Sequence, residues 1–365
     1  MVVKAWLSVV VCVPALVACA FGCAAKPVEA VEGASANLST DARAKTSEYL
    51  DSAASSWVSK SDWGFVQGGR CVMSCHTTVP FMMARKKLPA EVSATSALGT
   101  VRGYVEARVN NWQNVAPLYA WVPQNSRGTE SVVNMVALVS DDVSTGDHSL
   151  SDVAKRALAA MWNEQQADGS FMWWDSFSLA PWENTEAKVW GNALAAFTVG
   201  KAPATYLESL SAGDRAKAEK LDAYLRARAT DSAHPEPLHN RAMILLASTT
   251  RPILDSSTKD DIATAIRAAQ SSDGSFSAGS LGLSVAGGAA AAARPHAYAT
   301  AFFTYVLREA ADTTGAVANG QAWLEAHQRA DGAWESKSLN KPSATFNNQI
   351  ATDAATAWSV LALSP

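Results

Sequence analysis

Cysteine is scarce in this chain. Of five copies in 365 residues, Cys12, Cys19 and Cys23 fall in the N-terminal leader region, and only Cys71 and Cys75 lie beyond it. Two cysteines make no disulfide framework, so stability has to come from a hydrophobic core. A basic run is also missing. Lys and Arg number 30 against 34 Asp and Glu, giving a net charge of −4 and a pI near 5.9, which speaks against nucleic-acid binding. Past the leader no apolar run is long enough to span a bilayer. No second Cys/His pair stands at zinc-site spacing.

What the chain does have is apolar mass. With 48% hydrophobic and 18% charged residues it can bury one large core or two smaller ones. Thirteen Trp add large contact area, each with an N–H that wants a partner. At the N-terminus Lys4 precedes an apolar run from Ala5 to Ala18, too short to span a bilayer comfortably, which reads as a secretory signal. Leu16-Val17-Ala18-Cys19 resembles a bacterial lipobox, with cleavage near Cys23-Ala24-Ala25 as the rival. Residues 1–19 are therefore expected to be a signal peptide with Cys19 as the lipidated residue, and 20–41 a flexible linker. The chain is expected in the periplasm or as a membrane-anchored lipoprotein, touching the membrane only through its lipid.

Three segments match one another: Gln165-Gln166-Ala167-Asp168-Gly169-Ser170-Phe171, Gln270-Ser271-Ser272-Asp273-Gly274-Ser275-Phe276 and Gln328-Arg329-Ala330-Asp331-Gly332-Ala333-Trp334. Each follows an amphipathic helical run. Asp-Gly supplies a helix stop and turn, the aromatic can pack back, and the Gln can bond loop backbone. Apolar helical runs recur at about 55 residues, marked by His76, Glu130, Glu186, Asn240, His296 and Asp353. Charged outer helices are expected between them, near 42–58, 91–112, 150–166, 212–229, 258–271 and 315–328. Pairs that cannot bury their own faces stack on neighbours, and a ring leaves no exposed end. The expected fold is all-α, one (α/α)6 toroid of six helix pairs spanning residues 42–365.

The Q-x-x-D-G-x-aromatic pattern resembles the QW repeats of squalene–hopene cyclases and the wider prenyltransferase and squalene-oxidase repeat group. The resemblance covers residues 150–365. Squalene–hopene cyclases protonate an alkene with an acid of a D-x-D-D-T-A motif. The nearest match here is Thr352-Asp353-Ala354-Ala355-Thr356-Ala357, which lacks all three acids in register. Those cyclases are two-domain chains, whereas this chain has the length of one toroid. The resemblance therefore implies the fold and an apolar, terpenoid-like ligand, without the catalytic acid. The segment Ser74-Cys75-His76-Thr77 is similar to one near the N-terminus of exported, squalene-cyclase-like bacterial proteins.

Cys71-Val72-Met73-Ser74-Cys75-His76 is close to the C-x-x-C-H signature of covalent c-type haem, with one extra residue between the thiols. The cysteines then stand at i and i+4, one helical turn apart. A haem would be held by Cys71 and Cys75, with His76 on the iron and His239 or His296 as sixth ligand. A disulfide or redox pair and a zinc site are the alternatives. Glu130, Glu183, Glu186 and Asp353 fall at or near inner-helix starts, where acids either complement the helix dipole or form a catalytic acidic ring. Glu130, Glu186 and Asp353 are the candidate catalytic residues. Trp173, Trp174, Trp182 and Trp190 either wall a ligand cavity or seal the ring. Three functions follow: a haem protein doing redox chemistry on an apolar ligand, a non-enzymatic electron-transfer or ligand-binding lipoprotein, or a toroidal carbohydrate-active enzyme. The partner is a small apolar ligand or a redox protein.

Overall fold

A computed structural model describes residues 38–61, 69–89, 96–144, 149–175 and 179–364. The expected signal peptide, Cys19 and most of the expected linker lie outside the described residues. All the described residues fall in one unit. Among them no helix is long and apolar enough to cross a membrane.

Among the described residues, twelve helices alternate between an outer and an inner layer. The outer ones are α1 (Thr40–Lys60), α3 (Ala97–Asn110), α5 (Asp152–Asn163), α8 (Ala212–Thr230), α10 (Ser256–Ala268) and α13 (Ala316–Ala326). The inner ones are α2 (Thr78–Ala84), α4 (Pro123–Val143), α6 (Ala187–Lys201), α9 (Leu238–Ala247), α12 (Ala297–Glu309) and α14 (Thr345–Leu363). Two short helices, α7 (Ala204–Ser209) and α11 (Gly288–Ala292), sit in connections. The first helix begins at Thr40, inside the expected linker, because Ser39 caps it.

Composition explains the layers. Five of the six outer helices start on a polar cap: Ser39, Ser96, Ser151, Ser211 and Asp255 each accept a backbone N–H of the first turn. Each such cap is worth about 1 kcal/mol. Outer helices bury one stripe only, as in α8 with Ala218, Leu221, Asp222 and Leu225. Inner helices are buried all round; in α12 every residue from Ala297 to Leu307 is buried. Each inner helix packs on the next, and α14 packs on α2, so the ring closes.

The three repeated segments are the clamps of that ring. Gln165 Nε2 donates to the Gly169 carbonyl of its own turn (2.9 Å) and to Lys217 O in α8, the next outer helix (2.8 Å). Gln270 does the same with Gly274 O (3.0 Å) and Ala316 O of α13 (2.9 Å). Gln328 donates to Thr46 Oγ1 of α1 at 2.8 Å, joining the last repeat to the first helix. The aromatic residues hold the inner layer: the Phe171, Phe276 and Trp334 backbone N–H groups bond Asn192, Thr300 and Thr356.

The periodic markers do not all stand at helix starts. Glu186 and His296 are N-caps of α6 and α12. Glu130 and Asp353 lie about two turns inside α4 and α14, because those two helices extend further toward the mouth. The repeat fixes equivalent depth in the ring, while helix length varies.

Candidate functional site

The segment ahead of α2 is tied down residue by residue. Cys71 N–H donates to Ser61 O at the end of α1, and Trp57 Nε1 donates to Cys71 O at 3.2 Å. Ser74 Oγ accepts from Thr77 and Thr78 N–H, both at 3.2 Å, while Ser74 N–H donates to Thr78 Oγ1 at 2.7 Å. This reciprocal cap fixes Cys75 and His76 in the turn that leads into α2.

That turn opens on a cavity of about 1030 Å³ lined by Cys71, Cys75 and His76. Trp57, Tyr104, Leu118, Tyr119, Trp174 and Phe346 supply most of its apolar wall. Its carboxyls are Glu130 and Glu183. Glu130 is neutralised by Arg108, which donates to it through Nε (2.7 Å) and Nη2 (2.8 Å). Glu183 Oε1 lies 3.6 Å from His76 Nε2.

Burial sets the charge states. It pushes the Glu183 carboxyl up to about 7 and holds the His76 imidazole down to about 3. Between those values both groups are neutral, so their contact is no ion pair. Burial raises the Cys71 thiol to about 12 and the Cys75 thiol well above its usual range. Both cysteines are unpaired thiols. In the metal-free chain, then, neither thiol is activated as a thiolate nucleophile. Among the described residues no group of three or more His, Cys, Asp or Glu is placed to hold a metal ion.

These states give a pH dependence in the haem-free chain. His76 and His239, each held near 3 by burial against 6.5 in the unfolded chain, bind protons only on unfolding. Stability therefore falls as pH drops below about 6.5, with each costing about 2 kcal/mol at pH 5. Glu183 acts oppositely. It keeps its proton in the fold up to about 7 against 4.5 unfolded, so its contribution weakens as pH rises through that window. Glu183→Gln should stabilise the protein at pH 8 by up to about 3 kcal/mol and change little near pH 4. Urea unfolding at the two pH values checks this; an equal effect at both contradicts it.

Other candidate residues lie elsewhere. Glu186 is exposed at the start of α6 and borders a separate cleft of about 800 Å³ with Arg228 and Glu236. Asp353 is buried, accepting from Tyr49 (2.9 Å), Gln349 (2.8 Å) and Thr77 (3.1 Å). Glu130, Glu186 and Asp353 thus occupy three different environments and form no acidic ring. Neither expected sixth ligand lines the cavity. His239 bonds the Tyr298 hydroxyl through Nε2 at 2.9 Å and stacks on Trp190. His296 caps α12 with Nδ1 and contacts Lys337 O through Nε2 at 2.8 Å. Both imidazoles are held by hydrogen bonds within the ring interior and neither faces the cavity.

The four tryptophans divide. Trp174 walls the cavity beside Tyr119, their ring centroids 4.1 Å apart. Trp182 stands 6.0 Å from the His76 ring and donates to Tyr298. Trp173 and Trp190 seal the interior, the former donating to Trp182 O and packed on Gly191. Trp57, Tyr49 and Tyr119 were not indicated by the sequence. Trp57 contacts His76 edge-on at 4.8 Å, and Tyr119 bonds the Cys71 thiol. No motif marks them, since they come from α1 and from the connection before α4.

No protein-family model matches the chain, and no curated protein sequence does. Solved structures do. A type II terpene cyclase, MstE from Scytonema, matches in an arginine-to-alanine variant bound to the substrate geranylgeranyl dihydroxybenzoate. The TM-score is 0.53 at 13% identity, over 88% of this chain and 98% of that one. An aspartate-to-asparagine variant with the same substrate matches at 0.52 and 14% identity, over 90% and 99%. A third structure of the enzyme, bound to the product merosterolic acid A, scores 0.51 at 13% identity, over 89% and 98%. At such identity the likeness shows the fold: this chain has a terpene-cyclase-like α/α toroid.

Proposed function

We propose that this chain is an exported protein that carries one covalent c-type haem in the toroid mouth and acts there on a terpenoid-like ligand. Cys71 and Cys75 would form the thioethers and His76 Nε2 would bind the iron. Each thioether arises by addition of a thiol S–H across one haem vinyl C=C, so nothing is oxidised or reduced. The observation that carries the reading is that two unpaired thiols and one imidazole, its Nδ1 engaged 3.0 Å from Thr77 Oγ1, line the same apolar cavity. The cavity's size, about 1030 Å³, is at the top of the range for small-molecule sites and suits a flat macrocycle or a polyprenyl-sized chain. Ligation at Nε2 requires the Glu183 carboxyl to swing aside. When bound, haem supplies electron exchange or oxygen and peroxide chemistry, according to its sixth ligand. Export, with lipidation at Cys19, fits a group that is attached outside the cytoplasm.

The protein's own residues define what else the site does. Tyr119 and Trp174 present flat faces for an apolar ligand. Trp57 and Trp182 shield His76 from water. The Arg108–Glu130 pair keeps both charges compensated inside the wall.

A second reading has one observation in its favour. Glu183 holds a carboxyl, kept protonated by burial up to about pH 7, inside an apolar cavity of a terpene-cyclase-like fold, and a protonated carboxyl there could protonate an alkene. One binding experiment separates the two. Haemin added to reduced, haem-free chain should quench most tryptophan fluorescence at one equivalent, because Trp57 and Trp182 flank His76. His76→Ala should weaken that binding at least tenfold. Absence of saturable quenching favours the second reading.

A further inference from the structure

A buried polar chain that the cavity does not explain runs away from it. His76 Nδ1 lies 3.0 Å from Thr77 Oγ1, and Thr77 Oγ1 lies 3.1 Å from Asp353 Oδ2. Asp353 Oδ1 accepts from Tyr49 (2.9 Å) and from Gln349 Nε2 (2.8 Å). The chain joins α1, the start of α2 and α14, and His76, Thr77 and Asp353 are all buried. Tyr49 is half-buried at its outer end.

Burial raises the Asp353 carboxyl, while its three donors Gln349, Tyr49 and Thr77 favour the ionised form. With Asp353 as the carboxylate, the proton count along this chain has one solution. A carboxylate only accepts, so the single Thr77 hydroxyl proton points to Asp353. Thr77 Oγ1 can then only accept from His76, which places the imidazole proton on Nδ1. The lone pair is left on Nε2, the nitrogen that faces the cavity and Glu183. We propose that Asp353, acting through Thr77, is a positioning residue that fixes the His76 tautomer and presents Nε2 as a ready ligand. Its use as an iron ligand rests on the haem reading; the tautomer does not. Orientation of a ligating histidine through its second nitrogen is a general requirement of metal sites. Here it falls to the one acid left in the Thr-Asp-Ala-Ala-Thr-Ala stretch.

Asparagine at 353 reverses the count. Its carbonyl takes the Oδ1 place facing Tyr49 and Gln349, which puts its NH₂ toward Thr77. Thr77 must then accept from Asn and donate to His76 Nδ1, moving the imidazole proton to Nε2. The test is ¹⁵N NMR of histidine-labelled, haem-free full-length chain, with the His76 resonances identified by their loss in His76→Gln. Wild type and Thr77→Ser should show the Nδ1–H tautomer. Asp353→Asn should exchange the Nδ1 and Nε2 shifts, and Thr77→Val should give a mixture of the two forms. A general structural role for Asp353 would not move the proton from one nitrogen to the other, nor be rescued by Ser at 77. Nδ1–H retained in both Asp353→Asn and Thr77→Val overturns the proposal. In chains matured with haem, Asp353→Asn should lose most His-ligated iron while keeping its thioethers. If wild type takes no haem yet the tautomers exchange as stated, the positioning role stands and the haem reading alone fails.

Discussion

If the mouth carries a c-type haem, alanine at both Cys71 and Cys75 should leave the chain with no covalent haem when it is produced in a host with cytochrome c maturation, while the toroid still folds. Thioethers need sulfur, and the remaining link, a single bond from His76 to iron, does not survive a denaturing gel. The fold should persist because neither thiol is paired. Removing the buried Cys75 sulfur leaves a small cavity worth about 1 kcal/mol. The ring clamps stand elsewhere, at Gln165, Gln270 and Gln328. Each single variant keeps one thioether and so keeps haem on the gel. The check is a haem stain with intact mass, beside far-ultraviolet circular dichroism. Haem retained covalently in the double variant would show that the attachment point lies elsewhere.

Gly332→Ala should destabilise the toroid by about 3–5 kcal/mol. Gly332 turns the last repeat with φ +86°, a conformation that favours glycine. A Cβ there would stand 2.4 Å from Lys45 C and Thr46 N. Those are backbone atoms of α1, so no side chain can yield. The same turn is where Gln328 and the Gly332 carbonyl bond Thr46, so the clash falls on the seam where the ring closes. Gly315 is the control. Its φ is +88°, but a Cβ there meets nothing within 4 Å. Gly315→Ala should therefore cost only the conformational part, about 1 kcal/mol. Urea unfolding of the two variants separates strain from contact. Equal losses would mean that the α1 seam contributes nothing to closure.

Much of this architecture is legible in the sequence, for a physical reason. The Gln, Asp-Gly and aromatic of each repeat perform three jobs that only those types can do at those places. The amide reaches the next outer helix, the glycine turns against its backbone, and the aromatic meets an inner-helix polar group. Repetition made the pattern readable, and six helix pairs followed. The site was legible only where it is local. Cys71, Cys75 and His76 are close in sequence, so spacing brings them to one cavity wall, although residues 71–74 are irregular rather than the expected helical turn. Glu130 reached the cavity but already carries Arg108, a partner from another helix that no spacing announces. Asp353 lies inside α14 rather than at its mouth, since the repeat period fixes depth and not helix length. His239 and His296 obey the period yet belong to other sectors of the ring. Tyr119 and Glu183 come from connections that share no repeat and Trp57 from α1, and only the folded chain shows that they meet.

The central claim is that the mouth of this toroid holds a covalent haem. It is tested most directly by a pyridine haemochrome spectrum, with intact mass, on wild-type chain exported from a host with cytochrome c maturation. The account expects a two-thioether c-type spectrum and a mass increase of one haem that acid acetone does not remove. An unmodified mass with Cys71 and Cys75 as free thiols or as a disulfide contradicts it, and leaves Glu183 in its apolar cavity as the place to look for chemistry.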